Sequence, residues 1–133
     1  MNTPMNTMEI ETRSVLLADD EEIIVDLIKE TIGKQAALLD TADDGPTTLS
    51  KVKERDYDIL LLDISMPGLS GIDIYMWIRE NKPHLVKRII FISGDMESGN
   101  RGSFLRASGC LYLAKPFGFK ELLTMIGSVP LPT

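Results

Sequence analysis

The sequence holds one cysteine, one histidine and one tryptophan in 133 residues. A lone Cys110 cannot close an internal disulfide, so the fold must rest on its core, and a reducing, cytoplasmic setting is expected. A lone His84, placed in a loop after Pro83, reads as a surface residue and excludes a histidine-rich metal site. No apolar run approaches the roughly 20 residues needed to cross a bilayer, so membrane insertion is not expected. No block of Lys or Arg is present and the net charge is −6, which argues against direct contact with nucleic acid. No glycine-rich phosphate loop ending in Lys-Ser or Lys-Thr occurs. Residues 1–12 are polar, lack the apolar centre of a signal peptide and read as a flexible tail.

What is present is a packed, alternating chain. Hydrophobic residues make up 44% and charged residues 26%, the balance of a folded domain, and the length suits one domain. Four short apolar runs carry almost no polar atoms, as buried parallel strands do. They are Val15-Leu16-Leu17-Ala18, Ile59-Leu60-Leu61-Leu62, Ile89-Ile90-Phe91-Ile92 and Leu111-Tyr112-Leu113-Ala114. A weaker run, Ala36-Ala37-Leu38-Leu39, reads as the second strand. Between them, Ile24, Leu27, Ile28 and Ile32 follow helical spacing up to a stop at Gly33. Asp43-Asp44-Gly45-Pro46 is a turn leading into a helix marked by Leu49 and Val52. Ile74 and Ile78 mark a third helix, with Trp77 flanking its buried stripe. Leu122, Leu123 and Ile126 mark the last. Lys51, Lys53 and Arg55 read as a solvated helix face. Between Asp95 and Ser108 the helical signal is poor, because Gly99 and Gly102 interrupt it. Five strand–helix pairs with short connections predict a parallel sheet covered on both faces.

The strand ends carry the chemistry. The first strand runs into Asp19-Asp20, the third into Asp63, the fourth into Ser93 and the fifth into Lys115-Pro116. In open α/β sheets, ligands bind at the carboxyl ends of the strands. Glu21 and Glu22 are accounted for as acids at a helix N-terminus, worth a few tenths to ~1 kcal/mol. Asp19 is not, because it ends a buried strand beside like charges, and a hard cation such as Mg²⁺ relieves that repulsion. A carboxylate can attack phosphorus to give an aspartyl phosphate. The transferred group then needs a cation, an ammonium and hydrogen-bond donors around it. Asp63, Asp20, Lys115 and Ser93 supply those parts.

This set resembles the receiver domain of two-component response regulators. The residues that carry the resemblance are Asp19-Asp20, Asp63 followed by Met66-Pro67 and Gly71, Ser93, and Tyr112 ahead of Lys115-Pro116-Phe117. It covers residues 13–127, with 128–133 as a C-terminal tail. Phe91-Ile92-Ser93-Gly94-Asp95 and Tyr112-Leu113-Ala114-Lys115-Pro116-Phe117 resemble, more finely, receivers of hybrid sensor histidine kinases. The resemblance implies a flavodoxin-like (βα)5 fold, a doubly wound five-stranded parallel sheet in order 2-1-3-4-5. It implies that Asp63 is the phosphoacceptor. Asp19, Asp20, Asp63 and the backbone carbonyl of Ser65 would hold Mg²⁺, with Asp19 acting mostly through water. Lys115 and Ser93 would contact the phosphoryl group. Ser93 and Tyr112 would form the switch, and the Lys115–Pro116 bond would be cis. Ser93 stands where Thr is more frequent and Gly94 where Ala is usual. The resemblance implies that Ser65 and Asp95 occupy positions that tune hydrolysis in this family.

The expected function is that of a phosphorelay receiver. It takes a phosphoryl group from a histidine kinase or a histidine phosphotransfer protein and switches protein–protein contacts. The expected contact face is the fourth helix, fifth strand and last helix, around Phe104, Tyr112 and Phe119. It is not an enzyme in the ordinary sense, since it promotes only its own phosphorylation and dephosphorylation. The initial Met and the polar tail favour a single-domain regulator without DNA-binding output; the alternative is a receiver fragment of a hybrid kinase. A rival of another class is an aspartyl-phosphate phosphatase of the haloacid dehalogenase type. Such enzymes need an Asp two positions after the nucleophile, where this chain has Ser65 after Asp63 and Glu21 after Asp19. A degenerate receiver, used only for binding, is opposed by the intact Asp20, Asp63 and Lys115.

Overall fold

A computed structural model describes residues 13–94 and 101–130. Five strands, β1 (Ser14–Ala18), β2 (Leu38–Ala42), β3 (Ile59–Asp63), β4 (Ile89–Ser93) and β5 (Leu111–Ala114), alternate with helices. The helices are α1 (Glu22–Ile28), α2 (Gly45–Glu54), α3 (Gly71–Asn81), α4 (Arg101–Ser108) and α5 (Phe119–Gly127). The sheet is parallel throughout, in the order β2-β1-β3-β4-β5, as expected. β3 and β4 are buried along their whole length, which is why they read as unbroken apolar runs.

Side chains alternate across each strand and so divide the core in two. Val15, Leu17, Ile59, Leu61, Ile90 and Ile92 face Ile24 and Ile28 of α1 and Leu122 and Ile126 of α5. Leu16, Leu60, Leu62 and Phe91 face Val52 of α2, Ile74 and Ile78 of α3 and Leu105 of α4. Each fully buried Leu or Ile contributes about 1.5–3 kcal/mol. Phe91, Tyr75 and Phe104 form a cluster of tilted and edge-on rings that holds α4 and α3 to β4, with centroids 5.2–6.0 Å apart.

Three expectations shift. The second strand begins two residues late, at Leu38, because the N–H groups of Gln35 and Ala36 close a turn on the Ile32 carbonyl. Its polar Asp40 is tolerated on the sheet edge by accepting the Tyr57 hydroxyl at 2.5 Å. The first helix ends at Gly33 as expected, but its last turn, Lys29–Gly33, is π-helical. The packed body also runs past residue 127, since Val129 is buried and its carbonyl accepts from the buried Arg13 guanidinium at 3.3 Å.

The expected tail, residues 1–12, lies outside the described residues, as do residues 131–133 and Asp95 and Gly99. Gly102, expected in an irregular segment, lies in the first turn of α4, an eight-residue helix. The surface assignments agree with the sequence. His84 pairs with Asp56 at 2.7 Å, and the Lys53 ammonium lies 5.6 Å from the centre of the Trp77 ring.

The loop after β3 is locked to the start of α2. The Gly45 N–H donates to the Pro67 carbonyl at 2.9 Å, and Asp44 caps the helix through the Thr47 N–H. Gly68 sits at φ +84°, a left-handed conformation that glycine adopts without strain. A Cβ at residue 45 would stand 2.2 Å from the Leu69 carbonyl oxygen, so backbone must move to admit it. We expect Gly45→Ala to destabilise the domain by about 1–3 kcal/mol in urea unfolding. A change under about 0.5 kcal/mol, the usual effect of a surface substitution, would show that this contact does not hold the loop.

Candidate functional site

The shared register of β1, β3, β4 and β5 brings their carboxyl ends to one edge of the sheet. Asp63 ends β3 with its side chain buried, and Asp19 follows β1 with its side chain fully enclosed. Asp20 is exposed beside them. One carboxylate oxygen from each of the three lies within 4.8 Å of the others, a cluster that could hold a metal ion. Asp19 Oδ1 accepts the Glu21 N–H at 2.9 Å, whereas Asp19 Oδ2 is buried without a hydrogen-bond partner among the described residues. It is an ion-pair neighbour of the Lys115 ammonium at 3.0 Å, yet not aligned to accept from it. A buried carboxylate oxygen left in that position suits an oxygen-binding cation.

Lys115 follows β5, and its ammonium crosses the edge to meet three acids. It lies 2.5 Å from Glu21 Oε1, 3.0 Å from Asp19 Oδ2 and 3.2 Å from Asp63 Oδ2. The Lys115–Pro116 peptide is cis, as the resemblance implies. Asp63 Oδ1 takes the Ser65 N–H at 3.0 Å. Burial, and then the Asp19 charge, push the Asp63 carboxyl up to about 6; the Ser65 N–H and Lys115 oppose the rise. For Lys115, burial pulls the other way, but Glu21, Asp19 and Asp63 outweigh it and hold the ammonium charged well above its usual range.

Backbone contacts fix these groups. Gly71 opens α3 hard against the end of β3: its N–H donates to the Ile64 carbonyl at 2.9 Å, and a Cβ there would stand 2.5 Å from the Asp63 carbonyl oxygen. This gives a physical reason for glycine in the motif. Ser70 caps α3 through a reciprocal box with Asp73. Ser93 is buried at the end of β4, and its carbonyl accepts the Lys115 N–H at 2.8 Å. Gly94 leaves open space, since a Cβ there would come no nearer than 4.0 Å to Lys115 Cβ. Tyr112 is 48% exposed, so its ring stands on the outside of β5. Two clefts flank the acids. One, of about 610 Å³, lies between α1, β2 and α2; the other, of about 480 Å³, runs along Ser65, Met66 and Ser70.

Glu21 stands at the helix N-terminus as expected, but it has a second role that the sequence reading did not assign. As the N-cap of α1 its side chain makes no capping hydrogen bond, and its carboxylate goes to Lys115 instead. The signal available was an acid directly after Asp19-Asp20, but the same acid also suits a helix N-terminus.

The response regulator receiver domain family matches residues 15–127. Among curated proteins, the transcriptional regulatory protein ResD of Bacillus subtilis is 32% identical over 112 residues, covering 84% of this chain and 45% of that protein. The chain spans about half the length of the curated relatives it matches. Among solved structures, the response regulator TrrA of Thermotoga maritima, in complex with Mg²⁺ and beryllofluoride, is 31% identical at a TM-score of 0.74. That match covers 90% of this chain and 100% of TrrA. The receiver domain of a sensor histidine kinase from Pseudomonas aeruginosa, with magnesium in its active-site cleft, shares the fold at a TM-score of 0.78. It is 24% identical and covers 89% of this chain and 97% of that one. Phosphorylation and Mg²⁺ binding are typical of the family to which these proteins belong. The family match spans most of the chain, and the acids and lysine that carried the resemblance stand together at one sheet edge, so this chain belongs to the receiver domains of two-component response regulators.

Proposed function

We propose that Asp63 is the phosphoacceptor of this receiver and that Asp19, Asp20, Asp63 and the Ser65 carbonyl hold Mg²⁺. The observation that carries the reading is the Lys115 ammonium, 3.2 Å from a buried Asp63 carboxylate that ends a central strand. A carboxylate oxygen of Asp63 forms a bond to phosphorus as the bond from phosphorus to the donor imidazole breaks. The electron pair of that bond stays with the imidazole nitrogen. Lys115 and the Ser93 hydroxyl meet the charge on the equatorial oxygens. Mg²⁺, when bound, neutralises further phosphoryl charge. Ser65, two residues after Asp63, lacks the carboxyl that a haloacid dehalogenase-type phosphatase uses there. The reading therefore remains a switch that promotes its own phosphorylation and dephosphorylation and is no enzyme toward outside substrates.

The proposed donor is a histidine kinase or a histidine phosphotransfer protein. The proposed output is protein contact through α4, β5 and α5, switched by Ser93 and Tyr112. Tyr112 and Phe119 lie exposed on that face. No helix among the described residues is long and apolar enough to cross a membrane, and Cys110 is a free thiol. We place the protein in the cytoplasm on that thiol.

Acetyl phosphate with Mg²⁺ should add one phosphoryl group to the protein, located to Asp63 by mass spectrometry. Asp63→Ala should take none. Undiminished labelling of that variant sinks the assignment.

Mg²⁺ should raise the melting temperature of the wild type, because a ligand at 100 times its Kd adds about 2.7 kcal/mol. Asp20→Ala should lose most of the shift. An equal shift in both proteins would place the cation elsewhere.

In EDTA, the raised pKa of Asp63 has a stability consequence. The folded carboxyl holds its proton up to about pH 6, above its usual value of 3.8. Its contribution to stability is complete below about pH 4 and is lost as pH rises through 6. Asp63→Asn should therefore gain about 1–3 kcal/mol over the metal-free wild type at pH 7 and gain nothing at pH 4. Chemical denaturation at the two pH values decides; a pH-independent difference would refute the shift.

A further inference from the structure

Lys115 has three carboxylate neighbours, and they are not equivalent. Asp19 and Asp63 are buried on fixed strand ends. The Glu21 side chain is 53% exposed, lies nearest the ammonium at 2.5 Å, and is not committed to capping α1. A phosphoryl group on Asp63 would need that ammonium and would bring two negative charges next to an acid already paired with it. Of the three, Glu21 alone can turn into water at low cost.

We propose that Glu21 is a positioning residue that latches Lys115 in the resting state and is displaced when Asp63 gains a phosphoryl group. This rests on Asp63 being the phosphoacceptor. The latch works in opposite directions on the two ligands. Toward a cation, Glu21 adds negative charge beside Asp19 and Asp20 and occupies the ammonium, so it favours binding. Toward a phosphoryl group it competes for Lys115 and repels the arriving anion. A residue that merely supported the fold would weaken both together.

Glu21→Gln keeps the size and removes the charge. Glu22→Gln makes the same charge change one residue on, where no ion pair with Lys115 exists. A partly exposed ion pair of this kind is worth a two- to fivefold effect, or roughly 0.4–1 kcal/mol. Three measurements test the latch: Mg²⁺ affinity by calorimetry, beryllofluoride affinity at saturating Mg²⁺, and the lysine ammonium ¹H–¹⁵N correlation in EDTA. Glu21→Gln should weaken Mg²⁺ about two- to fivefold and tighten beryllofluoride by a similar factor. It should also shift or broaden the Lys115 ammonium signal, assigned through its loss in Lys115→Arg. Thermal melts of each sample confirm folding. Glu22→Gln should leave the Lys115 signal in place and fall short of both affinity changes. The proposal is overturned if Glu21→Gln weakens both ligands, if it matches Glu22→Gln, or if the Lys115 signal does not move. A wild type that accepts neither beryllofluoride nor a phosphoryl group would overturn the phosphoacceptor reading, and this one with it. A wild type that accepts both, with Glu21→Gln behaving like wild type, overturns the latch alone.

Discussion

Four carboxylates and one ammonium share the carboxyl edge of this sheet, and the placement of Lys115 decides whether that edge can exist. Two of the acids, Asp19 and Asp63, are buried where an isolated charge is expensive. Lys115 reaches both and Glu21 besides, so a single cation is divided among three anions. The division is incomplete. Asp63 is still pushed up to about 6, and Asp19 Oδ2 is still without a hydrogen bond among the described residues. The resting site thus holds an unrelieved repulsion, and a divalent cation that enters it gains from that repulsion as well as from its own ligands.

The sheet delivers these groups without any special loop. Order β2-β1-β3-β4-β5 makes β1 and β3 neighbours, which sets the acids side by side. β4 and β5 follow on the other flank, which sets Ser93 and Lys115 opposite. Two tight backbone contacts then fix the height of the edge. Gly71 rests on the Asp63 carbonyl, and Gly45 rests on Leu69 in the loop between them. Both exclude a side chain, so the loop carrying Ser65 is held by backbone hydrogen bonds and close packing rather than by long side chains.

The parts legible in the sequence are those where burial leaves no choice. β1, β3 and β4 are covered on both faces, so their runs are purely apolar and their ends are sharp. Asp63 and Asp19 could be placed at one edge because a polar group at the end of such a run has nowhere else to go; Lys115 follows β5, an edge strand buried only at Leu113, and is legible through its motif with Pro116 and Phe117. β2 was displaced by two residues because it is an edge strand of mixed polarity, where Asp40 finds a partner in Tyr57 from outside the strand. The π-helical turn at Lys29–Gly33 leaves no pattern that separates it from an ordinary helix end. The contact of Glu21 with Lys115 is hidden for a different reason. Local electrostatics and a contact with Lys115, 94 residues away, both favour an acid there, and only the fold distinguishes them.

The same charge balance bears on how a signal would leave the site. Lys115 joins β5 directly, its backbone N–H fixed to Ser93 and its side chain fixed among acids. Three residues earlier on that strand, Tyr112 is exposed and paired in register with Phe91, whose ring packs against Phe104 of α4. In the proposed reading, a change in what Lys115 holds would be passed along a strand whose Tyr112 ring is exposed and whose neighbour Phe91 packs against α4. Differential contacts of this kind are the only means by which a phosphoryl group can favour one surface over another. In the proposed reading, they begin with the competition between Glu21 and the phosphoryl group for one ammonium.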